Sequence, residues 1–400
     1  MSWESGVFSP RRESGCRDMK PFCLGKENHA EPGKAMHVMI VRLTGKTLAL
    51  ICLFALQAIA ACCFPVETPL AAEAAYISET ETTANTRPSA GNRNGTGMPV
   101  AGLLGSCRSE TELKGSSQEK RITSSSGAQP MPPPTAMPHN SVFPGLPREW
   151  RNSIRRVQIS DGKRLLALTF DLCERANEVA GYDAEIVNCL RKEKVKATFF
   201  AGGKWMRSHP ERAMQLMADP LFEVGNHGWV HENFRLLDKK EAEERFLRTQ
   251  AQYRLLREEV QRRCCSGDAS KEMENIPAFP RVFRFPFGTC NAAALDMLAS
   301  YGVAAIQWDV VSGDPAKGQT ARGITDIVLK QSKPGSIIVF HANGRGHGTA
   351  LALPGLVAAL RDRGFEFATV SELLRAGTPV VSPDCYELKP GDNLRYDKFK

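Results

Sequence analysis

No Cys-x-x-Cys pair occurs among the twelve cysteines of this 400-residue chain, which removes the ligand spacing of a zinc ribbon. Aromatic residues are scarce, at 8%, and no cluster of Arg and Lys is interleaved with them. The formal charge of +8 is spread along the chain, so nothing marks a nucleic-acid groove and no nucleic-acid partner is expected. The 42% apolar and 24% charged fractions exclude a wholly disordered or collagen-like chain. Long uncharged apolar runs are missing too, with one exception.

That exception is residues 47–64, TLALICLFALQAIAACCF, preceded by Arg42 and Lys46. A basic flank, an apolar core and small residues after it are the parts of a secretory signal, and the run is just long enough to span a bilayer. Ile59, Ala60, Ala61 and Cys62 resemble a lipobox, in which the Cys is lipidated after cleavage. Membrane attachment is therefore expected through a retained anchor or a lipidated Cys62, with cleavage near residues 71–75 as the other outcome. Residues 1–46 form a polar leader, and Met36 or Met39 would be a more usual start in front of such a signal.

Residues 65–147 are rich in Ser, Thr, Gly, Pro, Asn and Ala and show no period able to bury a core. A disordered tether is expected there. The folded domain is expected over residues 148–400.

Within that domain short β-rich runs (165–170, 196–200, 222–224, 282–285, 304–308, 336–340, 365–369) alternate with helical patterns (183–193, 210–217, 239–263, 292–301, 324–331, 354–363). The alternation predicts an α/β fold, a distorted or incomplete (β/α) barrel with parallel strands; a doubly wound open sheet is the alternative. Asp171, His227, Arg284, Asp309 with Asp314, and His341 each follow an apolar strand run. In a β/α barrel such strand ends share one face, where active sites are built. His227 and His231, four apart, would point the same way on a helical turn and could grip one metal ion.

Thr169–Phe170–Asp171, His227 with His231, Arg284 through Gly288, Trp308 through Asp314, and Val339–Phe340–His341 occur in the order of the polysaccharide deacetylase family, which the chain resembles over about residues 160–375. The resemblance implies a metal-dependent hydrolase that removes acetyl groups from N-acetylated sugars of a chitooligosaccharide or peptidoglycan type. It implies Asp171 as general base, Arg284 as its orienting partner, His341 as general acid and Asp314 as the residue tuning that His. It also implies His227 and His231 as metal ligands, a backbone N–H near Phe287 for the oxyanion, and Trp308 with Val339 as walls of the acetyl pocket. The metal expected is Zn2+, with Co2+ or Ni2+ as alternatives.

One departure stands out. The family's first motif continues with a second Asp, its third metal ligand, whereas Leu172 stands here, followed by Cys173 and Glu174. Glu174 is the expected replacement, with Asp171 doubling as ligand or Asp183 as alternatives. A silent carbohydrate-binding protein or an esterase/amidase on the same barrel are the rival functions. In the exported, oxidising setting that the signal implies, a bacterial cell envelope or the exterior, Cys173 and Cys290 are expected to pair, with Cys264 or Cys265 competing.

Overall fold

The structure is a computed structural model that describes residues 109–125, 134–137, 145–264 and 269–399. The predicted signal segment, Cys62 and most of the predicted tether lie outside the described residues. Among the described residues no helix is long and apolar enough to cross a membrane.

Twelve strands are described: β1 (Thr123–Ser124), β2 (Ser153–Ile159), β3 (Leu165–Leu172), β4 (Glu178–Val179), β5 (Ala197–Ala201), β6 (Phe222–Asn226), β7 (Val282–Phe283), β8 (Ala304–Ala305), β9 (Val310–Val311), β10 (Ile337–His341), β11 (Glu366–Phe367) and β12 (Gly377–Ser382). Eight form a parallel sheet in the order β8-β7-β6-β5-β3-β10-β9, with β11 paired to the start of β3. Every one of the seven predicted strands lies in it. The antiparallel ribbon β2–β12 touches the chain just after β8, through Ile154 and Ile306, and just before β10, through Arg156 and Ser336. The result is the incomplete barrel that the alternation predicts.

Alternation along β3 assigns its two faces. Leu166, Leu168, Phe170 and Leu172 pack in the core beneath the helices, while Ala167 packs in the core inside the sheet's curve. Asp171 is on the inner side by the same period of two. The helix Lys239–Cys264 buries Phe246, Leu247, Ala251, Tyr253, Leu256 and Val260 and starts from a reciprocal Asp238–Glu241 cap, with backbone-to-carboxylate distances of 2.8 and 3.1 Å.

The ribbon was not foreseen. Its strand Ser153–Ile159 carries Arg155 and Arg156 and lacks a clean apolar pattern. Arg155 is nonetheless buried, donating to the carbonyls of Tyr386 and Glu387 at 2.7 Å each and lying 3.7 Å over the Tyr386 ring.

The expected tether differs as well. Residues 109–125 are ordered on the barrel: helix Glu110–Lys114 has a capping box from Ser109, Leu113 is buried, and β1 pairs with β4. Glu119 accepts from Arg212 at 2.7 and 2.8 Å, and its carbonyl accepts from the Tyr182 N–H at 2.8 Å. Met137 and Leu146 are buried in two of the domain's cores. Isolated apolar residues such as these have no period of their own; they become buried only because a preformed surface receives them.

The disulfide also corrects the sequence expectation. Cys290 pairs with Cys385, and Cys173 is a free, buried thiol. Cys385 lies beyond the last strand, and only the return of the C-terminal segment across the barrel brings it to Cys290.

Candidate active site at the strand ends

Asp171 and His341 end adjacent parallel strands in matched register. Asn226 closes β6 and leads directly into His227, and Arg284 follows β7. Four strands therefore deliver four polar side chains to one end of the sheet.

Arg284 is fully buried and crosses beneath the site. Its Nη1 donates to Asp171 Oδ1 at 2.9 Å and to Thr169 Oγ1 at 2.7 Å, while Nη2 donates to the Gln307 carbonyl at 3.3 Å. Its guanidinium lies 4.1 Å from the Phe200 ring centroid and 5.4 Å from that of Trp308. Burial pushes the Asp171 carboxyl up, but the charge of Arg284 and its hydrogen bond, aided by His341, outweigh it and hold the carboxyl below its usual range.

Asp314, fully buried, holds His341. Its Oδ1 meets His341 Nδ1 at 2.9 Å, and its Oδ2 accepts from the His341 backbone N–H and from Thr349 Oγ1, each at 2.8 Å. Burial acts to lower the His341 pKa, yet the Asp314 carboxylate prevails and the imidazole is raised above its ordinary value. Asp309, by contrast, binds the Ile337 N–H at 2.9 Å and Ser336 Oγ at 3.1 Å and is a structural group.

His227 and His231 do come together, with ring centroids 5.4 Å apart, but not on a helical turn. A loop carries them, turned by Gly228 at φ 73°, where a side chain would be strained. His227 Nδ1 lies 2.7 Å from the Arg284 carbonyl, an acceptor, so this nitrogen carries the proton and Nε2 is left bare. His227 Nε2 and His231 Nδ1 are both buried without a hydrogen-bond partner. Burial, largest in both, pushes the two imidazoles toward the neutral form, His231 well below its ordinary value. Bare, neutral, buried imidazole nitrogens suit a divalent cation.

Glu174 is elsewhere. Its Oε1 takes Lys204 Nζ at 2.6 Å and Ser208 Oγ at 2.8 Å, and its Oε2 takes the Ala180 N–H at 3.0 Å. Asp183 caps the helix Ala184–Lys192 through the Glu185 N–H at 3.2 Å. Neither carboxylate joins the group around the His pair as sequence reasoning expected; Glu174 meets it only through its carbonyl, which accepts from the His231 N–H at 3.2 Å. Cys173 does join it: one donor atom each from Cys173, His227 and His231 lie within 4.8 Å of one another, the group of this kind found among the described residues.

Phe287 sits in the turn Pro286–Gly288 at φ 58°, ψ 5°, a left-handed conformation rare for a non-glycine residue. Its ring contacts His231 at 4.1 Å between centroids and stacks on Tyr396 at 5.2 Å and Phe399 at 5.7 Å. Trp308 and Val339 are largely buried in the core lining the sheet's inner side. The two C-terminal aromatics escaped sequence reading, since nothing local links them to a site more than 100 residues earlier. A separate cleft lined by Phe222, Glu223, Thr369 and Glu372 opens at the starts of the strands, away from these groups.

Residues 158–306 match the family model for polysaccharide deacetylase. An uncharacterized Bacillus subtilis protein, YlxY, is 26% identical over 48% of this chain and 53% of its own length. A Bacillus cereus peptidoglycan-N-acetylglucosamine deacetylase is 28% identical over 53% of this chain and 69% of its own. A Sinorhizobium fredii chitooligosaccharide deacetylase is 29% identical over 50% and 86%. The chain thus spans about half the length of the first of these relatives and more of the others. Among solved structures, a Bacillus anthracis protein described as a CE4 family pseudoenzyme is 22% identical with a TM-score of 0.45, covering 56% of this chain and 68% of that one.

Proposed function

We propose, from the match of residues 158–306 to the polysaccharide deacetylase family model, that this chain is a metal-dependent hydrolase releasing acetate from N-acetylated sugars of a bacterial envelope or chitin-like glycan. The observation that carries this reading is the convergence of two preset pairs, Asp171 with Arg284 and His341 with Asp314, beside the bare nitrogens of His227 and His231.

A divalent ion held by the His pair would polarise the acyl oxygen and lower the pKa of water. The remaining steps belong to the chain. Asp171, kept ionised by Arg284, takes a proton from the attacking water. His341, kept protonated by Asp314, returns one to the departing sugar amine. The turn at Phe287 offers its backbone N–H to the developing oxyanion. Trp308 and Val339 wall the acetyl methyl. Zinc is the metal this donor set favours, with cobalt or nickel as substitutes.

The chain is proposed to act outside the cytoplasm, delivered by residues 47–64 and retained there by that segment or by a lipidated Cys62. Acetate release from chitooligosaccharides and from peptidoglycan, with and without chelator, tests the reading. Release from at least one polymer that the chelator abolishes is the expected result. Binding of both glycans with no acetate released would instead make the protein a carbohydrate-binding one.

A further inference from the structure

The Leu172 departure removes a carboxylate from the metal site, and Glu174 is bound up with Lys204, Ser208 and Ala180. We infer that the Cys173 thiolate is the third protein ligand, so that two imidazoles and a thiolate hold the ion in place of two imidazoles and a carboxylate. The inference rests on the metal-dependent reading above and specifies its donor set.

Strand geometry makes the case first. β3 keeps its pairing through Leu172, opposite Ala201. Leu172 therefore falls on the helix-facing side, where it is fully buried in an apolar core. The next residue along the alternation, Cys173, returns to the side of Asp171.

Donor geometry makes the case a second time. The Cys173 and histidine donor atoms lie within 4.8 Å of one another. Donors around a tetrahedral zinc sit about 3.5 Å apart, given bonds of about 2.0–2.3 Å, so a small inward movement closes the set. His227 Nε2 is buried and makes no hydrogen bond, with Asp171 Oδ2 at 3.8 Å.

The third argument is the surroundings of the sulfur. Asn343, fully buried, donates from Nδ2 to Cys173 Sγ at 3.1 Å and to the Cys173 carbonyl at 2.8 Å. An amide N–H held on sulfur from behind is the support a metal thiolate uses, and it fixes the direction of the third ligand. On binding, the Sγ–H bond breaks, its proton leaves to solvent, and the sulfur lone pair forms the bond to the ion. No electron transfer is involved.

Cobalt is the probe. The whole protein is stripped with chelator and loaded with one equivalent of Co2+, and its absorption spectrum is recorded. The wild type is expected to show an intense near-ultraviolet sulfur-to-cobalt charge-transfer band. Cys173→Asp is expected to keep the ion and lose the band. Cys173→Ala is expected to lose about tenfold or more in metal affinity, at least the cost of removing a supporting residue. A wild-type protein that holds cobalt without the band overturns the assignment, and so does Cys173→Ala with unchanged affinity. If Cys173→Ala does not fold, the wild-type spectrum decides. Chelator-sensitive acetate release without the band would sink the cysteine ligand and leave the deacetylase reading standing. Absence of both metal binding and acetate release would sink the two together.

Discussion

Each charged residue at the site is valued by what it touches. Arg284 has no exposed surface and neutralises Asp171, so Arg284→Ala leaves a buried carboxylate alone. Breaking a buried pair from one side costs about 3–5 kcal/mol, which should appear as a lowered urea midpoint. His341→Ala removes the proton donor and should lower kcat by roughly 10²–10⁴-fold with the fold intact by circular dichroism. The Asp314 carboxylate raises the His341 pKa, and the acid works only while protonated. Activity should therefore be present below that pKa and fall as pH rises through it. Asp314→Asn removes the raising charge, so the alkaline limb of kcat/KM should move to lower pH. A limb that stays in place or moves upward would contradict the role given to Asp314.

At this scale Asp171, His227, Arg284, Asp314 and His341 could be read from the sequence because each ends or follows an apolar strand run. The expectation that Glu174 joins the His pair fails for a physical reason, because its carboxylate is held by Lys204, Ser208 and the Ala180 N–H. Charge in the sequence points to a carboxylate, whereas Cys173, one residue past the end of β3, is the side chain that the chain brings beside the His pair. Glu174 and Asp183 were within reach in sequence but are occupied by a lysine and a helix cap.

Among elements, seven of the eight strands of the parallel sheet and six of the helices were legible, because buried parallel strands are apolar runs and longer helices have a 3.6-residue period, whereas the two-residue strand β9 and the six-residue helices Gly203–Ser208 and Val370–Arg375 are too short to show one. Predicted and observed helix ends agree within a few residues; the largest difference is at Thr349–Asp362, where the helix begins ahead of Pro354. The β2–β12 ribbon was not legible, since its stability comes from pairing with a partner more than 200 residues away and from Arg155 reaching backbone carbonyls. Nor was the Cys290–Cys385 bridge, because connectivity depends on how the tail returns. That bridge spans 95 residues of sequence. Cys385→Ser should cost about 2–4 kcal/mol, read as a lower melting temperature. Because the same tail carries Tyr396 and Phe399 onto Phe287, the variant should raise KM for a polymeric glycan more than it lowers kcat. A drop in kcat alone would remove the tail from substrate binding.

For the whole molecule, part of the segment read as tether belongs to the folded unit. Residues 109–125 cover Tyr182 and place Glu119 on Arg212, so the folded unit extends well ahead of residue 148. A chain beginning at Ser109 should melt at the temperature of the full protein. A chain beginning at Arg148 should be less stable, because it uncovers Gly181 and Tyr182 and leaves Arg212 without its bidentate partner. Equal melting temperatures for the two would show that the segment contributes nothing.

The central claim is that the His pair and its neighbours hold an ion without which Asp171 and His341 do no chemistry. The direct measurement is the rate of acetate release from an N-acetyl chitooligosaccharide as zinc is titrated into the chelator-stripped whole protein. The rate should rise from background and level off at one equivalent, and His227→Ala should stay at background throughout. A stripped protein that releases acetate at the full rate without added metal would contradict the account.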